Sequence, residues 1–77
     1  MNETQRFEKY VDGILSVSTT TGSLLHSRDE IRKNLQFCFF MDYLSASQFD
    51  WYSQYLGDRY DYYYWRLAKG ERNENRK

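Results

Sequence analysis

The chain has 77 residues, enough for one small domain that buries little more than half of its unfolded surface. Eleven basic and eleven acidic residues give a net charge of zero, and no segment is basic enough to neutralise several phosphates. Duplex nucleic acid is therefore not expected as a ligand of the monomer. The single Cys38 excludes an internal disulfide, and Cys38 with His26 cannot form a structural zinc site alone. We expect no metal and no cofactor, and we expect oligomerisation or a partner to supplement the small core.

Several features of the sequence predict a soluble protein of the cytoplasm. The N-terminus MNETQRFEKY lacks the basic start and apolar run of a signal peptide. The longest apolar stretch, FCFFM at 37–41, is far shorter than a membrane span. A free thiol without an export signal fits a reducing compartment. We therefore expect a cytoplasmic protein that makes no contact with a membrane.

The first predicted helix covers residues 3–16. Its apolar residues follow the i, i+3, i+4, i+7, i+8 spacing of one helical face. Asn2 or Thr4 can cap its start, and Gly13 weakens its interior by about 1 kcal/mol relative to alanine. The residues of this face are Phe7, Tyr10, Val11, Ile14 and Leu15.

The segment SVSTTTGS, residues 16–23, predicts a loop. Its serines and threonines compete for backbone hydrogen bonds, and β-branched residues favour extended chain. The alternative is a short hairpin that pairs ILSVS with SLLHS across TTTG. Gly22 stands alone, without the spacing of a phosphate-binding loop.

A second helix is predicted over residues 28–44. Ser27 and Glu30 have the spacing of a capping box, in which each side chain accepts the other residue's backbone N–H. The second half of this helix is apolar nearly all round, which predicts burial on every side. Phe40 and Leu44 in this half are our candidates for self-association.

Asp42 carries a charge within this apolar half. It shares a predicted helical face with Ile31, Leu35 and Cys38. It is therefore either a buried or interfacial carboxylate that needs a partner, or a residue that reaches water near the helix end.

The third predicted helix covers residues 48–69. The segment Ser45-Ala46-Ser47 offers a cap, with Gln48 or Asp50 in the third-residue position. Gly57 can end one helix before Asp58 starts another, but the apolar pattern runs through Gly57 and favours one long helix with a possible kink. Gly70 is the predicted stop, and the polar segment 71–77 is predicted to be a disordered tail.

The aromatic residues of this helix divide into two stripes at 100° per residue. A predicted core stripe contains Phe49, Tyr52, Leu56, Tyr60, Tyr63 and Leu67. The opposite stripe is either sandwiched by a neighbouring element or exposed as a protein interface, because Tyr, Trp and Arg are enriched at binding hot spots. It contains Trp51, Tyr55, Tyr62 and Trp65, with Arg66 beside them.

No constellation of residues indicates catalysis. His26 precedes a predicted helix start and is expected to be solvated, and Cys38 within FCFFM is expected to be a buried, inert thiol. Asp58 and Asp61 are expected to form surface ion pairs with the neighbouring arginines, Arg59 and Arg66.

The stretch YLSASQFDWYSQYLGDRY, residues 43–60, resembles the Hha/YmoA-type modulators of nucleoid proteins. Those small helical proteins have a similar serine-led helix that carries aromatic-Tyr-Ser and then Asp-x-Arg, where this sequence has Trp51-Tyr52-Ser53 and then Asp58-Arg59. The resemblance covers less than a quarter of the chain, needs a one-residue shift and stops upstream, where FCFFM replaces a charged helix. It implies a partner-binding regulator without enzymatic activity.

Together these patterns predict an all-α protein, a three-helix bundle over residues 1–70 that is dimeric or binds a partner. We expect a non-enzymatic interaction protein, an inhibitor, adaptor or regulator of a type common in phages and mobile elements. The alternative is a single-stranded nucleic-acid binder or a nucleoid-protein modulator with a role in transcription. The predicted partner-binding residues are Trp51, Tyr55, Tyr62, Trp65 and Arg66.

Overall fold

Three α-helices and the two short loops between them make up the described chain. The computed structural model describes the backbone of residues 1–75 and the side chains of residues 1–70. The helices are α1 (Glu3–Leu15), α2 (Thr21–Phe40) and α3 (Ala46–Asn75), and each packs against the other two. No strand occurs in residues 1–75. The expected all-α three-helix bundle is therefore confirmed, and the alternative of a hairpin around residues 16–23 is wrong.

Helices α1 and α3 run in the same direction. Phe7 of α1 stacks on Tyr52 with ring centroids 4.3 Å apart, and Asp12 binds Arg59 further along α3. Because later residues of α1 meet later residues of α3, the two helices are parallel. Their side-by-side contact leads from the N-terminus of the chain towards the loop between α1 and α2.

Helix α2 runs in the opposite direction. Phe39 near its end stacks on Phe49 near the start of α3, with centroids 4.6 Å apart. Arg28 near its beginning lies over the Tyr60 ring, 4.7 Å from the centroid. The loop between α2 and α3 thus lies at the end of the bundle where α1 and α3 begin.

Side chains from all three helices form one core. The predicted stripe on α3 is confirmed, because Tyr52 and Leu56 are buried and its other four members pack partly buried against this core. The fully or nearly fully buried residues are Val11, Leu15, Leu24, Ile31, Leu35, Tyr52 and Leu56.

Reciprocal caps fix the starts of α1 and α3. Asn2 Oδ1 accepts the Gln5 backbone N–H at 2.8 Å, and Gln5 Oε1 accepts the Asn2 N–H at 3.1 Å. The Ser45 hydroxyl accepts the Gln48 N–H at 3.1 Å, and Gln48 Oε1 accepts the Ser45 N–H at 2.9 Å. Both are capping boxes, so a cap is confirmed at each start, and the structure selects Asn2 and Ser45 from the alternatives that the sequence left open.

Helix α2 begins earlier than the sequence pattern predicted. Thr20 is its cap, and the Thr20 hydroxyl accepts the Ser23 backbone N–H at 3.1 Å. Ser27 and Glu30 lie inside the helix, so the predicted capping box and helix start are wrong. The reason is Leu24, which is completely buried and extends the core face of α2 by two further turns towards its N-terminus.

Helix α2 also ends earlier than predicted. The Tyr43 N–H donates to the Cys38 carbonyl at 2.8 Å, and the Asp42 N–H donates to the Phe39 carbonyl at 3.1 Å. With Asp42 at φ 62°, this is a Schellman motif that closes the helix at Phe40. The helical face extrapolated to Asp42 does not exist, because the helix has ended. Asp42 is exposed rather than buried.

Helix α3 is continuous through Gly57, which confirms the preferred single long helix. At 30 residues it is about 45 Å long, half as long again as α2. It continues past Gly70, so the predicted stop there is wrong. The disordered tail predicted for 71–77 stays a prediction, because residues 76–77 and the side chains of 71–75 are not among those that the structure describes.

Candidate protein-interaction surface

The predicted partner-binding residues share one side of α3. We call this surface the aromatic ridge and define it as Trp51, Tyr55, Tyr62, Trp65 and Arg66. Trp65 is 62% exposed, Tyr62 48% and Trp51 44%. The exposed part of the ridge therefore consists of three large rings and the Arg66 side chain, carried by one uninterrupted helix.

Tyr55 is the exception, because it is half-buried against the core. Helix α1 covers this part of α3, and the Phe7 ring meets the Tyr55 ring edge-on at 6.1 Å. The expectation that Tyr55 points away from the core is therefore wrong. Tyr55 supports the ridge from below: the Trp51 ring stacks on it at 5.6 Å, with 9° between the planes.

Asp12 of α1 fixes two α3 residues that support the ridge. Its Oδ2 accepts the Tyr55 hydroxyl at 2.8 Å, and its Oδ1 accepts Nε of Arg59 at 2.8 Å. Burial of the Tyr55 hydroxyl is the largest cause that raises the pKa of Tyr55 to about 12, and the hydrogen bond to Asp12 is the second. The hydrogen bond to Asp12 also raises the pKa of Arg59. Asp12 therefore links α1 to α3 through one neutral and one charged donor.

The sequence does not reveal the link from Asp12 to Tyr55 and Arg59. We expected the arginines to pair with Asp58 and Asp61, but Arg59 pairs with Asp12, 47 positions away along the chain. Asp12 lies on the polar side of the predicted first helix. Only the packing of α1 against α3 shows which of those polar residues meets an arginine.

Two arginines hold the Tyr62 ring. The guanidinium carbons of Arg59 and Arg66 lie 4.6 and 5.5 Å from its centroid. Arg66 Nη1 also donates to the Tyr62 hydroxyl at 3.4 Å. Cation–π contacts at exposed sites contribute about 0.5–1 kcal/mol each, enough to restrict the ring without burying it. Next to this group, the Trp65 ring stands edge-on to Tyr64 at 5.8 Å.

The ridge carries little net charge. The Arg59 charge is compensated by Asp12, Asp58 lies beside Trp51 and Tyr55, and Asp61 is exposed on the same helix. The surface is therefore a set of rings with mixed charges around it, and it lacks the continuous positive potential that phosphate groups require.

A second exposed aromatic surface lies at the end of α2. We call it the hinge patch and define it as Phe37, Phe39, Phe40, Met41 and Tyr43. All five side chains are exposed, so the prediction that this half of the helix is buried on every side is wrong. Helices α1 and α3 cover the face of α2 that carries Ile31 and Leu35. Among the described residues, no further element covers the exposed rings at the end of α2.

The two predicted self-association residues separate in the structure. Phe40 is 84% exposed, the highest exposure of any large apolar residue among those described. Leu44 is partly buried and packs against the core. Only Phe40 is therefore placed to contact another molecule.

The remaining candidates for chemistry lie apart from one another. His26 is exposed on α2, and Cys38 is half-buried. A groove of about 450 Å³ between α2 and α3 contains Arg28 and Arg32, but Arg28 already pairs with Asp29 at 3.0 Å. Among the described side chains of residues 1–70, no group of His, Cys, Asp and Glu has the geometry of a metal site. Within residues 1–75, no helix is long and apolar enough to cross a membrane.

In comparisons with known proteins, no protein-family model, no curated protein and no solved structure matches this chain. The resemblance of residues 43–60 to the Hha/YmoA-type modulators stays a hypothesis. The case for a function therefore depends on the two aromatic surfaces themselves.

Proposed function

We propose that this protein is a small, non-enzymatic interaction module that binds another protein through the aromatic ridge. The observation that carries the proposal is the Tyr62 ring held between Arg59 and Arg66, beside the exposed Trp65. Tyr, Trp and Arg are the residue types most enriched at binding hot spots. An inhibitor, adaptor or regulator that occupies a partner's surface fits such a site.

The rings of the aromatic ridge are held in position by neighbouring side chains, which supports the proposal. Binding is weakened by the entropy lost when mobile side chains become fixed, at about 0.5–1.5 kcal/mol per side chain. Here Trp51 is already stacked on Tyr55, and Tyr62 is already held by Arg66. A partner would meet rings whose orientation is largely set before contact, so more of the contact energy would appear as affinity.

The dimensions and charge of the ridge indicate what kind of partner it fits. Trp51 and Trp65 are 14 residues apart on one helix, a span of about 21 Å. This length suits an elongated apolar groove or a helix of about four turns. Because Arg59 is paired and Asp58 and Asp61 lie nearby, the partner surface need not be strongly charged, and binding should depend weakly on salt.

The test is affinity capture from the native host with the double variant Trp51→Ala, Trp65→Ala. We expect wild type to retain a specific protein and the double variant to lose it by at least tenfold, about 1.4 kcal/mol. Tyr43→Ala is the matched control: it removes an equally exposed ring outside the ridge and should leave the capture unchanged.

Circular dichroism of the same variants decides what a loss of capture means. Both tryptophans are exposed, so the double variant should keep its helicity. If it unfolds, these rings stabilise the fold and the ridge loses its assignment. If it folds and retains every captured protein, the ridge is not the binding surface.

The alternative is a binder of single-stranded nucleic acid, in a transcription-regulatory or nucleoid-modulating role. The observation that favours it is that the exposed rings of Trp51 and Trp65 share one side of α3 with Arg66, since bases stack on aromatic side chains next to positive charge. Tryptophan fluorescence during titration with a short single strand at low salt tests it. Affinity that falls steeply as salt increases would support this alternative, and an unchanged signal would reject it.

A further inference from the structure

The hinge patch carries a second inference, independent of the aromatic ridge. The eight residues 34–41, NLQFCFFM, contain no charged side chain, and the turn that follows adds Tyr43. Four of the patch's five residues are aromatic, and all are exposed. We infer that this surface is covered by a second copy of the same chain in a symmetric dimer.

The area of the patch is the first argument. At roughly 200 Å² for a fully exposed aromatic side chain, the exposed fractions amount to about 600 Å² per chain. Because Phe37 and Phe39 point to nearly opposite sides of α2, two patches facing each other would bury less than roughly 1,200 Å², in the size range of weak, reversible dimers. A patch of this size is at the upper end for an uncovered monomer surface.

The shape of this end of the molecule is the second argument. Phe40 projects from the last position of α2, and the residue before it, Phe39, lines a shallow hollow of about 520 Å³. A two-fold axis requires a surface that is complementary to itself. A projecting ring beside a hollow that Phe39 and Phe49 line meets this requirement, because each Phe40 can contact those rings in the other chain. The hollow is lined by Phe39, Ala46, Ser47, Phe49 and Asp50.

The charges are the third argument. The chain has a net charge of zero, so two copies do not repel each other strongly. Asp50 is the single charged residue that lines the hollow, and it is exposed to water. An acidic or basic partner would find little to recognise at this end, whereas a second hinge patch offers the same uncharged rings.

The test is the molar mass in solution, measured by light scattering and sedimentation over about 1–300 μM. We expect a shift with increasing concentration from the 9.4 kDa monomer towards twice that mass. Phe40→Gln removes the projecting ring without adding a charge, and we expect it to raise the dissociation constant of the dimer at least tenfold. Phe40→Leu retains an apolar side chain and should weaken the dimer less.

Val17→Gln is the matched control. Val17 is 74% exposed but lies in the loop between α1 and α2, at the opposite end of the bundle, so its removal should not change the dissociation constant. Tyr43→Gln gives a second test of the patch if Phe40→Gln fails to fold. The ridge variant Trp51→Ala, Trp65→Ala should dimerise like wild type, which separates this inference from the proposed function.

Two results would overturn the inference. Wild type that stays at the monomer mass at the highest concentration would show that a second copy does not cover the patch. A dimer whose dissociation constant is unchanged by both Phe40→Gln and Tyr43→Gln would show that the contact lies elsewhere.

Discussion

The aromatic ridge and the hinge patch both expose large rings, but their surroundings differ. On the ridge, two of the four rings have a hydrogen bond or a cation–π contact to a charged group: Tyr55 with Asp12, and Tyr62 with Arg59 and Arg66. In the hinge patch, neither kind of contact to a charged side chain is found among the described residues. A ring with a polar neighbour tolerates water, whereas an isolated apolar ring gains more from being covered.

The backbone beneath the two surfaces differs as well. The ridge lies along an uninterrupted helix, so its rings keep fixed spacings. The hinge patch straddles a helix end, where Asp42 adopts a left-handed conformation with φ 62°. The two surfaces expose similar numbers of rings. They differ in the backbone that carries those rings and in the polar groups next to them.

The largest expected effect comes from breaking the support of the ridge at Asp12. Asp12→Ala leaves the Arg59 guanidinium and the Tyr55 hydroxyl without their acceptor. We expect the free energy of unfolding to fall by about 1.5 kcal/mol, the loss of hydrogen bonds to a half-exposed charge less the better helix propensity of alanine. Urea unfolding followed by circular dichroism measures this loss.

Asp58→Ala is the control for that measurement. Asp58 is an exposed aspartate on α3 that forms no ion pair with another described residue, so its removal should change stability by no more than about 0.5 kcal/mol. Equal losses for the two variants would mean that Asp12 does not support the ridge, and the contrast between the two surfaces would weaken.

The next largest effect concerns the turn at the end of α2, where Asp42 is left-handed. A left-handed conformation costs a residue with a side chain about 1 kcal/mol more than glycine. Asp42→Gly should therefore raise the free energy of unfolding by about 1 kcal/mol, without changing the residues of the hinge patch. Thermal and urea unfolding check this value.

Asp61→Gly makes the same chemical change in the middle of α3, where the backbone is helical. There glycine should destabilise the protein by a few tenths of a kcal/mol. If Asp42→Gly also destabilised the protein, the Schellman geometry at the end of α2 would not describe the molecule in solution.

The smallest effect expected below pH 10 comes from removing the Tyr55 hydroxyl, and it changes with pH. The folded protein holds this proton more tightly than the unfolded chain does, because the pKa is raised from 10.0 to about 12. The stabilisation is therefore fully present below pH 10 and is lost as pH rises through 12. At pH 9 we expect Tyr55→Phe to be less stable than wild type by about 0.5 kcal/mol, through loss of the hydrogen bond to Asp12.

Urea unfolding of both proteins at increasing pH tests this sign. The difference in stability should narrow above pH 10 and then reverse, because wild type alone must release the Tyr55 proton. A difference that stayed constant from neutral to alkaline pH would show that Tyr55 is not coupled to folding.

Local signals predicted much of this molecule. The caps at Asn2 and Ser45 and the core stripe through Tyr52 and Leu56 were all predicted from the spacing of residues close together in sequence. Such features depend on backbone hydrogen bonds and a period of 3.6 residues, which act within a few positions. The same periodicity correctly placed Trp51, Tyr62 and Trp65 away from the core.

The local signals failed where tertiary contacts outweighed them. Ser27 and Glu30 have the pattern of a cap, yet burial of Leu24 makes the helix begin at Thr21. Burying a leucine contributes about 2 kcal/mol, more than an exposed cap contributes. No pattern in residues 37–44 showed that the helix would end at Phe40, because its Schellman motif has aspartate where glycine is usual.

The sequence by itself determined three helices, their amphipathic faces and a surplus of aromatic residues, because these follow from spacing within each helix. Only the tertiary structure decided which surplus rings are supported by charge and which stand alone. That choice depended on α1 packing beside α3, which brought Asp12 to Tyr55 and Arg59 across more than 40 positions. It also depended on residues 1–75 forming three helices, none of which covers Phe40.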